Sequence, residues 1–275
     1  MNQVNSPPAD RNEPFFASHA RDFYELNAAA YNSDFNRKFY ERIAKALVAE
    51  VEDTAVSGAV LEVGAGTGFA TAVLRERYPR AEITALEPSG TMAVRGRAYV
   101  PQADWVEKPL NGFHWKRTGL VFASMSYHWL TRPERSALTA AAADGVLALA
   151  VAVTDRPEDG EETELPENAA DGNRALKRLV YRLRPSVSWS RADRRARAVT
   201  DELEDGFREV TREYVTFDET FDSGSELIDT LNNRGSLLAL FSSRREEARR
   251  ELARTFDLEG PATFRWRVAL IVGRS

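Results

Sequence analysis

The stretch that most constrains this chain is Val60 to Thr71, V-L-E-V-G-A-G-T-G-F-A-T. A short apolar run carrying Glu62 passes directly into Gly64, Gly66 and Gly68, and an amphipathic run follows without a break. The pattern reads as a strand, a tight turn and a helix. Glycine is required where backbone must adopt positive φ or lie close against a ligand. The helix behind the turn aims its unpaired N–H groups at whatever occupies that place.

The rest of the chain supplies partners for that strand. Phe15 to Asn32 reads as an aromatic-rich helix, and Arg37 to Glu52 as a clearer one with Phe39, Ile43, Leu47, Val48 and Val51 on one face. Strands are expected at 59–63, 82–87, 104–107, 119–124 and 145–153, with helices after the glycine turn, after Pro88-Ser89-Gly90 and from Arg132. Gly145 to Val153 is almost wholly apolar, as a strand buried on both faces must be. Alternating strands and helices imply a parallel sheet with right-handed crossovers. From Thr154 the pattern changes to an acidic loop and two Arg-rich helices, 173–184 and 191–204. A strand at 207–217, helices at 225–241 and 243–256 and a final strand at 263–273 complete the chain. The N-terminal 14 residues, polar and Pro-bearing, are expected to be a disordered tail, with a single domain over 15–275 and an insert at about 154–206.

The spacing of the glycines separates two cofactor classes. The dinucleotide fingerprint places its third glycine five residues after the first. Here the interval is four, and position 69 is Phe. The G-x-G-x-G spacing after L-E-V resembles the first motif of class I S-adenosylmethionine (SAM) dependent methyltransferases. The Tyr127-His-Trp-Leu130 sequence is similar to that of small-molecule members, including the trans-aconitate and malonyl-carrier types. The resemblance implies a Rossmann-like α/β fold with a seven-stranded, mostly parallel sheet whose last strand inserts antiparallel between the fifth and sixth. It also implies SAM as cofactor, S-adenosylhomocysteine as product, and a helical insert capping the acceptor pocket. One departure is Gly119, where the family often has Asp before the fourth strand.

Within that frame the residues take expected roles. The loop Gly64, Ala65, Gly66 and Gly68 would hold the cofactor, with Glu87 and Pro88 behind it. Glu87 ends the second strand, 19 residues past Gly68. A carboxylate at a strand C-terminus beside the switch point can accept hydrogen bonds from both hydroxyls of a ribose. It could equally stand as the acid of a helix N-terminus. Glu62 lies inside the first strand, where an unpaired carboxylate is costly. The family sets such an acid toward the amino-acid end of SAM, and holding loop N–H groups is the other reading. Glu107, in preference to Asp104, matches the acid beside the adenine amino group, with an exposed surface charge as the equal alternative. Ser124 and Ser126 would face the methionine part. His128 is either a general base, suited by its ordinary pKa of about 6.5, or a packing residue that orients its loop. Tyr31 is expected to stand near the sulfonium, gaining by cation–π contact and by its hydroxyl, with helix packing as the alternative. Tyr24, Trp129, Asn233 and Arg234 are the expected acceptor contacts. His19 and His114 carry no such expectation.

Composition enters where it excludes. No apolar run approaches the roughly 18–20 residues of a membrane helix. No cysteine is present, which removes thiolate metal sites and disulfides and fits a cytoplasmic protein. The histidines are scattered, and no metal site is expected. A net charge of −5 argues against wholesale nucleic-acid binding. The sequence reading is therefore a SAM-dependent methyltransferase acting on a small molecule, anionic acceptors included, in specialised metabolism. A nucleic-acid methyltransferase using the Arg-rich helices, a non-methylating protein of the same fold, and an NAD oxidoreductase are the alternatives.

Overall fold

The computed structural model describes residues 13–51, 56, 58–114, 118–153, 170–183, 191–256 and 259–275. The N-terminal tail expected to be disordered falls outside them up to residue 12. Helix α1 (Glu13–Tyr31) begins inside that segment, and α2 (Asp34–Ala49) follows. Ser33 caps α2, its side chain accepting from the Asn36 N–H.

Strand β1 (Ala59–Val63) leads through the glycine turn into α3 (Phe69–Arg77), and β2 (Glu82–Leu86) into α4 (Gly90–Tyr99). Then come β3 (Asp104–Val106), β4 (Leu120–Ser124), α5 (Arg132–Ala141) and β5 (Val146–Val153). Thr131 and Glu134 close a capping box at the start of α5, with Pro in its first turn. The remainder is β6 (Ala170–Asp171), α6 (Gly172–Leu183), α7 (Arg191–Glu204), β7 (Glu209–Phe221), α8 (Gly224–Asn233), α9 (Ser236–Phe241), α10 (Arg245–Thr255) and β8 (Ala262–Arg274).

Strands β3, β2, β1, β4 and β5 lie side by side in that order, all parallel. β8 runs antiparallel to β5, from Val146 opposite Arg274 to Val153 opposite Arg267. Its other edge pairs antiparallel with β7 over the full length of both strands. The closing strand thus enters between the fifth strand and β7, as the resemblance implies, and the seven-stranded mixed sheet stands. The two-residue β6, not foreseen, pairs with the start of β8.

The sheet separates two apolar layers. One joins α2, α3, α6 and α8–α10 to one face, centred on Ile43, Leu47, Leu74 and Phe122. The other packs α5 and α7 on the opposite face, around Val121, Leu138, Leu147 and Leu149. Of the expected insert, α6 buries Leu176, Leu179 and Val180 in the first layer, and α7 buries Ala196, Val199 and Leu203 in the second. The two Arg-rich helices therefore flank the sheet from opposite sides. Each carries one apolar stripe, and each stripe finds a sheet face rather than the other helix.

Candidate active site

The site is built where β1, β2 and β4 end. Gly64, Gly66 and Gly68 all have positive φ, at 73°, 58° and 89°. The turn is pinned from behind by Gly64 N–H (2.8 Å) and Ala65 N–H (3.1 Å), both donating to the Leu86 carbonyl. Gly64 also permits a close approach: a Cβ there would fall 2.5 Å from the Ser126 Cβ. Gly68 is the N-cap of α3 and supplies no side-chain cap, so the first N–H groups of that helix face the turn.

Glu87 follows β2 directly and is buried. Its carboxylate accepts the Gly66 N–H at 2.8 Å and the Ser89 N–H at 2.9 Å. Burial pushes its carboxyl up to about 7, against the lowering effect of those two N–H groups. Glu62 is buried beneath the loop, and burial pushes it up to about 8, with Thr71 acting in the opposite sense. Among the described residues, Ser124 Oγ and Thr67 Oγ1 are buried without a hydrogen-bond partner, and Glu62 Oε2 and Thr71 Oγ1 have none outside the Glu62–Thr71 approach. Buried polar atoms are normally paired, so a cluster of unpaired ones around one turn marks a place where a polar ligand fits.

Across the turn, Met125 holds a left-handed φ of 60°, unusual for a side chain of that size. Its N–H donates to the Ala150 carbonyl at 2.9 Å, and the next hydroxyl, Ser126 Oγ, donates to the Val63 carbonyl at 2.6 Å. These bonds fix the turn that carries Tyr127, His128 and Trp129, a single 3-10 turn. Tyr127 points inward, donating to Glu202 at 3.0 Å. His128 and Trp129 are partly buried, their rings 4.7 Å apart.

Helix α1 closes the other side with an aromatic face. The Tyr31 ring stacks on Tyr40 at 5.1 Å and on Phe69, the first residue of α3, at 6.0 Å. Tyr24 meets Tyr31 edge-on at 5.6 Å and Trp129 at 5.8 Å. Burial raises both hydroxyls well above the usual tyrosine value, and the charge of Glu87 adds to this at Tyr24. Glu25 anchors α1 to the turn after β2. Its carboxylate accepts Ser89 Oγ–H at 2.5 Å, Thr91 N–H at 3.1 Å and the Thr91 hydroxyl.

The structure thus gathers Glu62, Gly64, Ala65, Gly66, Gly68, Glu87, Pro88, Ser124, Ser126, Tyr24, Tyr31 and Trp129 at one end of the sheet. Glu107 stands at the rim, exposed, its carboxylate close to Gly90 at the start of α4. His114 is exposed and apart from the cluster, whereas the His19 side chain lies outside the described residues. Arg234 departs from its expected place among acceptor contacts. Its guanidinium is fully buried and makes a bidentate pair with Glu219, at 2.5 and 2.9 Å, beneath the aromatic face. Asn233 is partly buried at the end of α8. Glu25, Asn36, Glu219 and the strained Met125 were not anticipated. Asn36 had a signal: it stands at the i−3 place of the α2 stripe, ahead of Phe39, where an apolar residue is expected.

Residues 60–146 match the model of a methyltransferase domain. The trans-aconitate 2-methyltransferase of Escherichia fergusonii is 35% identical over 72 residues, which are 26% of this chain and 29% of that protein. The corresponding enzyme of Shigella flexneri serotype 5b is 29% identical over 101 residues, 36% of this chain and 38% of that one. The chain thus spans well under half the length of the curated relatives it matches. The structure of the plantazolicin methyltransferase BpumL is similar to 94% of this chain and 99% of its own, with a TM-score of 0.46 and 10% identity, a likeness that bears no weight for function. The family match falls on the strands that carry the glycine turn and Glu87, within a Rossmann-like sheet whose closing strand runs antiparallel beside β5.

Proposed function

We propose that the protein is a SAM-dependent methyltransferase acting on a small-molecule acceptor. The observation that carries this reading is the pairing of the left-handed G-x-G-x-G turn with a buried acid, Glu87, already bonded to the Gly66 N–H. Two lone-pair positions of that carboxylate are spent on Gly66 and Ser89, and the others can accept from the two hydroxyls of a ribose. The unpaired atoms of Glu62 and Ser124 are of the kind that would take the ammonium and carboxylate end of the donor.

SAM, when bound, supplies an already activated methyl carbon on sulfur. The protein's own work is then to orient and to exclude water. The turn and Glu87 fix the nucleoside. The α1 face of Tyr24 and Tyr31, with Trp129 opposite, forms an aromatic wall suited to a sulfonium and to an acceptor entering beside it. His128 sits next to that wall and can hold a proton from an acceptor that starts protonated, or serve to pack the loop. Glu107 remains the residue proposed for the adenine edge. Arg234 is spent on Glu219, so an anionic acceptor would require another cation. Among the described residues, no helix is long and apolar enough to cross a membrane, and no cluster of metal-binding side chains occurs.

Calorimetry with SAM, S-adenosylhomocysteine and NAD tests the reading. Saturable heat with the first two and none with NAD is expected. Absence of binding by both sulfur nucleosides would overturn it.

A further inference from the structure

We infer that Arg234, Glu219 and Asn36 form a positioning clamp that holds the aromatic face of α1 in place over the glycine turn. The clamp grips α1 at two points, both on one face because Tyr24 and Tyr31 are two turns apart. At the first, the Tyr24 hydroxyl donates to the Arg234 carbonyl at 3.1 Å. At the second, the Asn36 amide donates to the Tyr31 carbonyl at 2.9 Å while its oxygen accepts Arg234 Nε–H at 2.8 Å. Both points therefore converge on one residue. Arg234 is itself fixed by the bidentate pair with Glu219, and Glu219 by the indole N–H of Trp266 at 2.5 Å. The guanidinium lies over the Phe39 ring, 3.9 Å from its centroid. Gly235 completes the fit: with φ at 76°, it leaves room for Tyr24 Oη, which a Cβ there would meet at 2.5 Å.

Energetics favour position over bulk stability as the role of this network. A buried ion pair can be replaced by apolar side chains at little or no cost, because desolvation offsets its attraction. What apolar residues cannot reproduce is the directed pair of bonds to Tyr24 and Tyr31. Those bonds set a helix whose aromatic face stands over Phe69 and beside Glu87. The clamp joins β7 and the α8 end, far along the chain, to the α1 side of the site.

Asn36→Asp separates the two functions of Asn36. The carboxylate still accepts from Arg234 but cannot donate to the Tyr31 carbonyl. Asn36→Leu removes both, and Leu203→Val in α7, on the opposite sheet face, serves as a control for stability alone. Hydrogen exchange of the amides in residues 21–31 is measured first, without ligand. About tenfold faster exchange is expected in both Asn36 variants, the loss of one or two net hydrogen bonds, with the control unchanged because local opening does not follow global stability. Should Asn36→Leu not fold, Asn36→Asp alone decides. Exchange equal to the wild type would overturn the clamp.

The second measurement is S-adenosylhomocysteine affinity, which rests on the methyltransferase reading and is expected to fall about tenfold in the Asn36 variants. Faster exchange with unchanged affinity would overturn the positioning role. A wild-type protein that binds no S-adenosylhomocysteine, yet shows the exchange difference, would sink the methyltransferase reading and leave the clamp standing.

Discussion

Glu87 and Glu62 carry the chemistry that a change of pH can reveal. Burial raises both, to about 7 and about 8. Between an unfolded value near 4.5 and those values, the native state holds protons that the unfolded chain has released. Stability therefore falls as pH rises through that window, and the ligand-free protein is expected to melt at a higher temperature at pH 6 than at pH 8. Binding has the opposite sign. Ribose hydroxyls donating to Glu87 favour its ionised form, so binding expels a proton, and S-adenosylhomocysteine affinity is expected to weaken as pH drops below about 7. Calorimetry across pH 6–8 measures this, with a slope approaching tenfold per unit. Glu87→Gln should bind weakly and flatten the profile; a variant with the wild-type slope would remove Glu87 from the ribose. The position of Glu87 was legible because spacing alone sets it at a strand end beside a glycine turn. Arg234 was not legible, because its partner Glu219 lies on another element and no local pattern brings the two together.

At the scale of elements, glycine does two distinct jobs in the donor half. In the turn it provides left-handed backbone, and at Gly64 also space. Gly64→Ala would place its Cβ 2.5 Å from Ser126 Cβ, in strained backbone, with Ser126 held by its bond to the Val63 carbonyl. A loss of about 2–4 kcal/mol is expected from strain and overpacking together, read by denaturant unfolding, with ligand affinity lost as well. Gly96 sits inside α4, where an Ala would ordinarily gain about 1 kcal/mol of helix propensity. A Cβ there, however, meets the Trp105 ring at 2.0 Å, and Trp105 is fixed by donating to the Val100 carbonyl at 3.0 Å. Overpacking of about 1–3 kcal/mol then exceeds the propensity gain. Gly96→Ala is expected to lower stability, and a stabilised variant would show that the ring can yield. The first glycines were readable as a motif, whereas Gly96 reads as a mere helix weakness. β5 was found to within one residue, whereas α2, read as 37–52, runs from Asp34 to Ala49 because Ser33 caps it one turn earlier. The strand read as ending at Phe217 runs on to Phe221, since Asp218, Glu219 and Thr220 show no apolar alternation and are held as strand by pairing with β8.

The whole molecule depends on its last strand. β5 is buried on both faces, and its free edge would be a long apolar one if β8 were missing. β8 covers that edge along the full length of β5 and also gives β7 its only described strand partner, so one segment holds both sides of the sheet together. The turn, Glu87 and the residues of β4 all lie on the other side of β5, and a half-molecule reading would let them fold without β8. The packing argues against that. Layers on both sheet faces run continuously from α2 and α5 to β8 residues such as Val268, Ala269, Leu270 and Ile271. A chain ending at Gly260 would lose that burial in both layers and expose β5 as an edge prone to pair with another copy. Such a truncation is expected to show no cooperative thermal transition and to elute as aggregate. A truncated chain that melted cooperatively and bound S-adenosylhomocysteine would show the donor half to be an independent unit. The closing strand would then be an addition to a sheet already stable without it.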